Sequence, residues 1–444
     1  MAEDEGPEIA PVLAKLAGQD AAAAEDARAA PEWIAGDQGL ALITQQRIQN
    51  FCWYELPVKW FVDLDDRLRI VAALAQALDL LRLPRYAAIC RSGTTGEVLR
   101  AYETSLAHGK AAFRRAAAAS GIMPPDLPDF QWGPVMGLEE ASAWSSTAEF
   151  LEVAVARGDL VPGRRGWKAR QQELVRAHLN VPQAELLGQT PAQVILTERA
   201  ETWINARRSE TRRRILAVIA NRLLHPAELP AAAAADPLPP LRWLLEQLDS
   251  GVALTQTGNL SQKFVQQNAD RFGWDFSRPP RTEDDLYDLH QVRHFAQDLG
   301  LARRSGGKLA LTAKGRGLLA APGRLWRTVA AGLLGDDGFE VFAGELFLAL
   351  LVDANSVPDR EIRATVGQAA AEEGFRQSRT GEPPDEHDIS RAIHATSNLC
   401  RALGLLSVGG DWRDRSYGLT ATGRATALEA LRARATGSRT IPWS

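Results

Sequence analysis

Leu299-Gly300-Leu301-Ala302-Arg303-Arg304-Ser305-Gly306-Gly307-Lys308-Leu309-Ala310-Leu311-Thr312-Ala313-Lys314-Gly315-Arg316 is the stretch that decides the fold, because the chain writes it twice. The second version runs from Leu403-Gly404-Leu405 through Gly409-Gly410 to Leu419-Thr420-Ala421-Thr422-Gly423-Arg424, with a turn four residues longer. Each version follows a helical pattern and leads into another. Physically, each reads as a helix end, a strand, a Gly-containing turn, a second strand and a helix start.

Working outward, Leu241-Arg242-Trp243-Leu244-Leu245 opens a helix and Val252 to Thr255 reads as a short strand. Helices fit 260–272 and 284–299, and strands 301–304 and 308–312 form the first hairpin. The order then repeats, with helices from Phe339 to Val352 and from Asp359 to Gly374 and a loop from Gln377 to His387. A helix at 388–403 leads to strands 405–408 and 416–420.

This pattern, with its closing Leu-Thr-Ala-x-Gly-Arg step, resembles the winged helix-turn-helix superfamily, including regulators of the MarR and PadR type. The C-terminal region is also similar to that of uncharacterised actinobacterial proteins, from which no activity follows. The superfamily resemblance covers two tandem modules, 241–333 and 334–436, followed by a short tail at 437–444. It implies binding rather than catalysis, most often of double-stranded DNA. In such modules the helix before the wing enters the major groove and the wing reaches phosphates or an adjacent groove. Winged helices also serve as protein-docking modules, so a non-enzymatic scaffold with a protein partner is the competing expectation.

Upstream, the reading is all helical. Leu68, Val71, Leu74, Leu78 and Leu81 keep amphipathic spacing, and helical patterns continue through 96–120, 138–157, 165–179 and 191–223. The expected fold class is mainly α: an all-helical N-terminal domain over 39–225, then two tandem winged-helix (α+β) modules. The prolines and alanines of 226–240 predict a semi-rigid connector. Residues 1–38, rich in Ala, Glu, Asp and Pro, predict a disordered acidic tail.

The formal net charge of the 444 residues is −4. Residues 1–39 contribute −7 of it, which leaves a mildly basic body at +3. Three widely spaced cysteines give neither a disulfide framework nor metal-ligand spacing, and point to a reducing cytoplasm. No apolar run approaches the ~18–20 residues that span a membrane. No paired carboxylates, Ser/His/Asp set or nucleotide fingerprint appears with supporting context. The expectation is therefore a protein that is not an enzyme and needs no cofactor or metal.

Candidate nucleic-acid contacts follow from charge placement. The first wing offers Arg303, Arg304 and Lys308, with Lys314 and Arg316 just beyond; such groups neutralise phosphates irrespective of sequence. The helix before it begins Asp284-Asp285-Leu286-Tyr287-Asp288, and its acids would repel phosphate. In the second module Arg391, Asn398 and Arg401 are the candidates for base reading, since Asn and Arg pair with base edges. Arg413 and Arg415 sit at its wing tip. A further concentration, net +7 over residues 160–222, includes Arg207, Arg208, Arg212 and Arg213, read here as one helix. The same arginines also fit a solvated face or a dock for the acidic tail.

Four other features have bland alternatives. His290 and His294 share a helical face but lack the Glu and third ligand of a zinc site. Cys52, between Phe51 and Trp53, reads as a buried thiol. Arg91 to Glu97 mimics a phosphate-cradling loop but lacks the Gly-Lys-Ser/Thr ending of a P-loop, and a capping box of Thr94 with Glu97 explains the same residues more simply. The aromatics from Phe51 to Phe61 fit a helix-packing core or a base-stacking surface. Two modules in one chain could mimic a dimer, and a true homodimer is equally compatible with the sequence.

Overall fold

The computed structural model describes residues 9–35, 43–273, 280–335, 338–411 and 414–439. The chain is mainly helical and divides into two compact units, Met1–Ile195 and Leu196–Ser444. Among the described residues no helix is long and apolar enough to cross a membrane.

The first unit contains α1 (Ile9–Gln19), α2 (Ala21–Ala27), α3 (Ala29–Ala35), α4 (Gln45–Asn50), α5 (Leu56–Lys59), α6 (Leu64–Leu80), α7 (Pro84–Cys90), α8 (Gly93–Thr104), α9 (Leu106–Ala119), α10 (Leu138–Arg157) and α11 (Trp167–Leu179). The helix α12 (Pro191–Asn205) spans the division. Side chains set many boundaries: Asp63 caps α6 by accepting from Asp66 N, and Ser105 ends α8 and caps α9 at once. The cap of α8 is Ser92, which accepts from Thr95 N at 3.1 Å, rather than Thr94. The first part of the aromatic segment is core, while Phe61 at its end is exposed: Phe51, Cys52, Trp53 and Leu56 are buried, and Trp53 Nε1 donates to Thr95 Oγ1 at 2.7 Å.

The expected disordered tail is helical over residues 9–35. Leu16, Ala23, Ala24 and Ala27 bury against Ala73 and Ala77 of α6. Alanine carries little apolar area, but its small side chain lets helices approach closely, so a segment poor in large apolar residues still docks. The expected start of order at 39–42 lies outside the described residues.

The second unit adds α13 (Glu210–Leu223), α14 (Pro239–Gln247), β1 (Val252–Ala253), α15 (Gln262–Phe272), α16 (Tyr287–Asp298), β2 (Ala302–Ser305), β3 (Lys308–Leu311), α17 (Ala313–Leu319) and α18 (Pro322–Gly332). The order then recurs as α19 (Phe339–Val352), β4 (Val357–Pro358), α20 (Asp359–Glu373), α21 (Glu386–Ala402), β5 (Leu406–Gly409), β6 (Ser416–Leu419) and α22 (Ala421–Thr436). Each copy holds a three-stranded antiparallel sheet, ordered β1-β3-β2 and β4-β6-β5.

The repeated phrase has a physical explanation. Gly300 (φ +66°) and Gly404 (φ +76°) sit in the left-handed region just past α16 and α21. There the next residue's amide turns back, Leu301 N to Ala296 O and Leu405 N to Cys400 O, both at 2.8 Å. Thr312 and Thr420 then cap α17 and α22, their hydroxyls accepting from Gly315 N and Gly423 N at 2.9 Å. Those two glycines are required by contact: a Cβ on either would overlap the carbonyl oxygen of Leu301 or Leu405. The phrase is therefore a clamp between the end of one helix and the start of the next, with the hairpin held between them.

Three domain boundaries differ from expectation. The α13 helix, expected within 39–225, belongs to the second unit. Its Leu216, Ile219 and Leu223 join one core with Leu244, Leu289, Trp326, Phe342, Leu346, Ile393 and Leu431. That core also runs unbroken from the first copy into the second. The 226–240 segment lies on this unit as well: Leu238 is buried, and Ala227 N donates to Glu429 Oε2 at 3.1 Å. Its prolines stop α13 and start α14, but they do not hold two domains apart.

Candidate nucleic-acid interface

The arginine cluster at 207–214 is built for structure. The predicted continuous helix breaks at 206–209, and Ser209 caps α13 by accepting from Arg212 N at 3.1 Å. Arg212 is 1% exposed and grips Glu345 of α19 with Nη2 at 3.0 Å and Nε at 3.1 Å. It also donates to the carbonyls of Trp203 and Ile204, and its guanidinium lies over the Trp203 ring. Arg434 of α22 reaches the other Glu345 oxygen at 2.7 Å. A buried cation must be paired and hydrogen-bonded, and this triad meets that need while locking α13, α19 and α22 together.

Arg207 lies 3.7 Å from Glu373 and beside the Phe342 ring, and Arg213 is half-buried. Arg208 alone of the four predicted phosphate contacts is well exposed. The physical reason is position: at the start of α13 these side chains face α19 and α20 instead of solvent. Ser209 and Thr211 add to the lock by hydrogen-bonding Glu372, whose carboxyl those donors, Thr211 N first, pull down to about 2.

In the first copy, Arg303, Arg304 and Lys308 are exposed on the β2–β3 hairpin, with no acidic partner within ion-pair range among the described residues. Lys314 is committed to Leu299 O at 2.8 Å, and Arg316 to Asp249 at 3.0 Å. Both pairs are exposed, so each is worth little and can open to a stronger anion. The helix before this hairpin offers no free cation. Its one arginine, Arg293, is buried against Glu283 and also donates to Gly258 O at 2.8 Å. Its outer face carries Tyr287, His290 and His294, with the two histidine rings 4.2 Å apart. Among the described residues no group of three or more His, Cys, Asp or Glu side chains is placed to hold a metal ion.

The second copy is arranged differently. Asn398 and Arg401 on α21 and Arg415 beside β6 line one concavity of about 330 Å³, together with Ser397, Leu406, Val408 and Tyr417. Arg391 lies further back on α21, exposed and 3.1 Å from Asp388. Arg401 spans to the first copy, where its Nη2 meets Asp288 Oδ1 of α16 at 2.9 Å. Burial pushes the Asp288 carboxyl up, and Arg401 opposes that shift. The Tyr417 hydroxyl is likewise pushed up by burial, and Arg415 opposes that shift. Arg413 lies outside the described residues.

Residues 241–324 match the model of a family described as the Y4jL N-terminal domain. The likeness covers the first copy only, a minority of the chain, and the description carries no activity. No curated protein and no solved structure matches the chain.

The structure thus brings Asn398, Arg401 and Arg415 together, keeps Arg303, Arg304 and Lys308 as a separate exposed strip, and withdraws Arg212 into the core. Ser397 and Tyr417 were missed. Nothing in a single sequence marks the side of α21 that meets the hairpin, because helical spacing alone does not reveal which stripe borders a sheet.

Proposed function

We propose that the chain is a non-enzymatic DNA-binding protein, serving gene regulation or a mobile element, in which both copies are winged helices and the second carries the recognition. Supporting the fold is the element order of each copy: helix, strand, helix, helix, hairpin, helix, with the first strand paired to the third. The single observation that carries the function is the convergence of Asn398, Arg401 and Arg415 where α21 meets its hairpin. In a winged helix that corner faces the duplex, and Asn and Arg there can read base edges or bind phosphates. The Arg303, Arg304 and Lys308 strip supplies backbone contacts that are blind to sequence.

The test is fluorescence anisotropy of the full chain with a mixed set of duplexes. The expected outcome is binding that weakens steeply between about 50 and 200 mM salt, as phosphate contacts demand. R415E together with R391E abolishes it. Absence of salt-sensitive binding to any duplex at low ionic strength would sink the proposal.

A second reading, docking of a partner protein, applies to the first copy. It is favoured by the outer face of α16, where Tyr287, His290 and His294 stand in place of cations. Under this division of labour Tyr287→Ala leaves duplex affinity unchanged. A loss as large as that of R415E would put α16 on the duplex instead.

A further inference from the structure

The concavity beside α21 is larger and more varied than a backbone contact requires. Its volume of about 330 Å³ falls within the roughly 300–1,000 Å³ of pockets that enclose small molecules. One phosphodiester would occupy only part of it. Ser397 is the informative wall: it is 2% exposed, it lines the cavity, and its hydroxyl has no hydrogen-bond partner among the described residues. Its oxygen opens onto the cavity, where it can both donate to and accept from a bound group. Asn398, on the same wall, also has an amide without a partner among the described residues. Arg415 has no carboxylate in ion-pair range among the described residues, whereas the charge of Arg401 is met by Asp288. Leu406 and Val408 close the cavity with apolar surface.

An open hydroxyl, an open amide, one uncompensated guanidinium and an apolar wall describe a ligand with three parts. It carries a compact anion with several acceptor oxygens, a polar edge with both donor and acceptor, and an apolar face. We propose that this cavity binds a phosphate monoester of nucleoside-monophosphate size, with Arg415 and Ser397 on the phosphate, Asn398 on the edge of the ring, and Val408 against its face. A monoester phosphate carries nearly two negative charges and three strong acceptors, which suits this donor set better than a carboxylate does. Because Arg415 also serves the duplex in the function proposed above, bound ligand and DNA compete; only that competition rests on the DNA reading.

The experiment is isothermal titration calorimetry of the full chain with adenosine 5′-monophosphate, adenosine and inorganic phosphate, beside anisotropy with duplex DNA. The expected result is saturable one-to-one binding of the monophosphate, at least tenfold weaker binding of inorganic phosphate and none of adenosine. Arg415→Ala and Ser397→Val each weaken the monophosphate at least tenfold, while the R303A/R304A variant on the other hairpin binds it as wild type does. Arg415 is exposed, so its variant should keep the wild-type melting temperature, which separates lost binding from lost folding. Wild-type chain that takes up no monophosphate, binds adenosine equally well, or is indifferent to Arg415→Ala overturns the site. If the monophosphate binds through Arg415 but no duplex binds, the site stands and the DNA reading falls. If a duplex binds and the monophosphate does not, the reverse holds.

Discussion

In the first copy Arg293, the arginine of the helix before the hairpin, turns inward to Glu283; in the second, Arg391, Asn398 and Arg401 lie on the outer side of the equivalent helix. The backbone device around both hairpins is nevertheless the same, down to the capping threonine and the glycine three residues after it. The repeat therefore encodes how a hairpin is held and leaves open which charges are displayed. On the function proposed above, the two copies divide their labour, one holding backbone or a partner and the other recognising.

The comparison breaks most severely at the buried ion pairs. Glu345→Ala leaves Arg212 buried without its anion, a loss of about 3–5 kcal/mol, read as a lowered denaturation midpoint of the second unit. Glu283→Ala should cost a similar amount in the first copy. Only the Glu345 variant should unseat α13, so limited proteolysis at 206–209 accelerates in that variant alone. Equal proteolysis in both would mean that α13 is not held by the second copy's lock.

Gly315→Ala and Gly423→Ala probe the shared device. Each puts a methyl group into a backbone carbonyl, Leu301 O or Leu405 O, and overpacking of this kind costs roughly 1–3 kcal/mol. The two losses should match in thermal melts; a silent variant in one copy would show that its clamp is not required there.

Removing single polar groups should separate the copies more gently. Replacing Arg303 or Arg304 by Gln lowers the salt slope of duplex binding by about one unit each and weakens all sequences alike, whereas N398A relaxes sequence preference by about 1–3 kcal/mol at one position. Identical behaviour of the two sets in anisotropy would erase the proposed division.

The smallest effect concerns acid. Hydrogen bonds from Thr211 and Ser209 hold Glu372 at about 2, below its ordinary 4.5. A depressed carboxyl stabilises the fold above the ordinary value, and that stability is lost as pH falls through the folded one. Glu372→Gln should therefore flatten the acid limb of stability between those two values. Because the side chain is exposed, the change is under about 1 kcal/mol. An unaltered acid limb would remove Glu372 from the α13 lock.

Much of the local structure was legible in the chain. Leu-Gly-Leu and Leu-Thr-Ala-x-Gly-Arg act over a few residues through a left-handed glycine, a capping hydroxyl and a close backbone approach, so the hairpin strands could be read to within a residue and the helices before them to within three. The aromatic core at Phe51 to Leu56 was legible for a similar reason, since burial of large rings leaves few alternatives. The arginines were the least legible. Arg212 and Arg208 look alike in sequence, yet one is a core ion and the other a surface cation. Their difference depends on Glu345, more than a hundred residues away.

The sequence by itself determined a mainly helical chain and two copies of a clamped hairpin, because periodicity, capping and turn chemistry act locally. Only the tertiary structure decided that α13 joins the second unit, that the two copies share one core, and that Asn398, Arg401 and Arg415 meet at one cavity while Arg212 and Arg293 are withdrawn. Those outcomes depend on which faces meet across long stretches of chain, and on the cost of burying a charge unless a partner arrives from elsewhere.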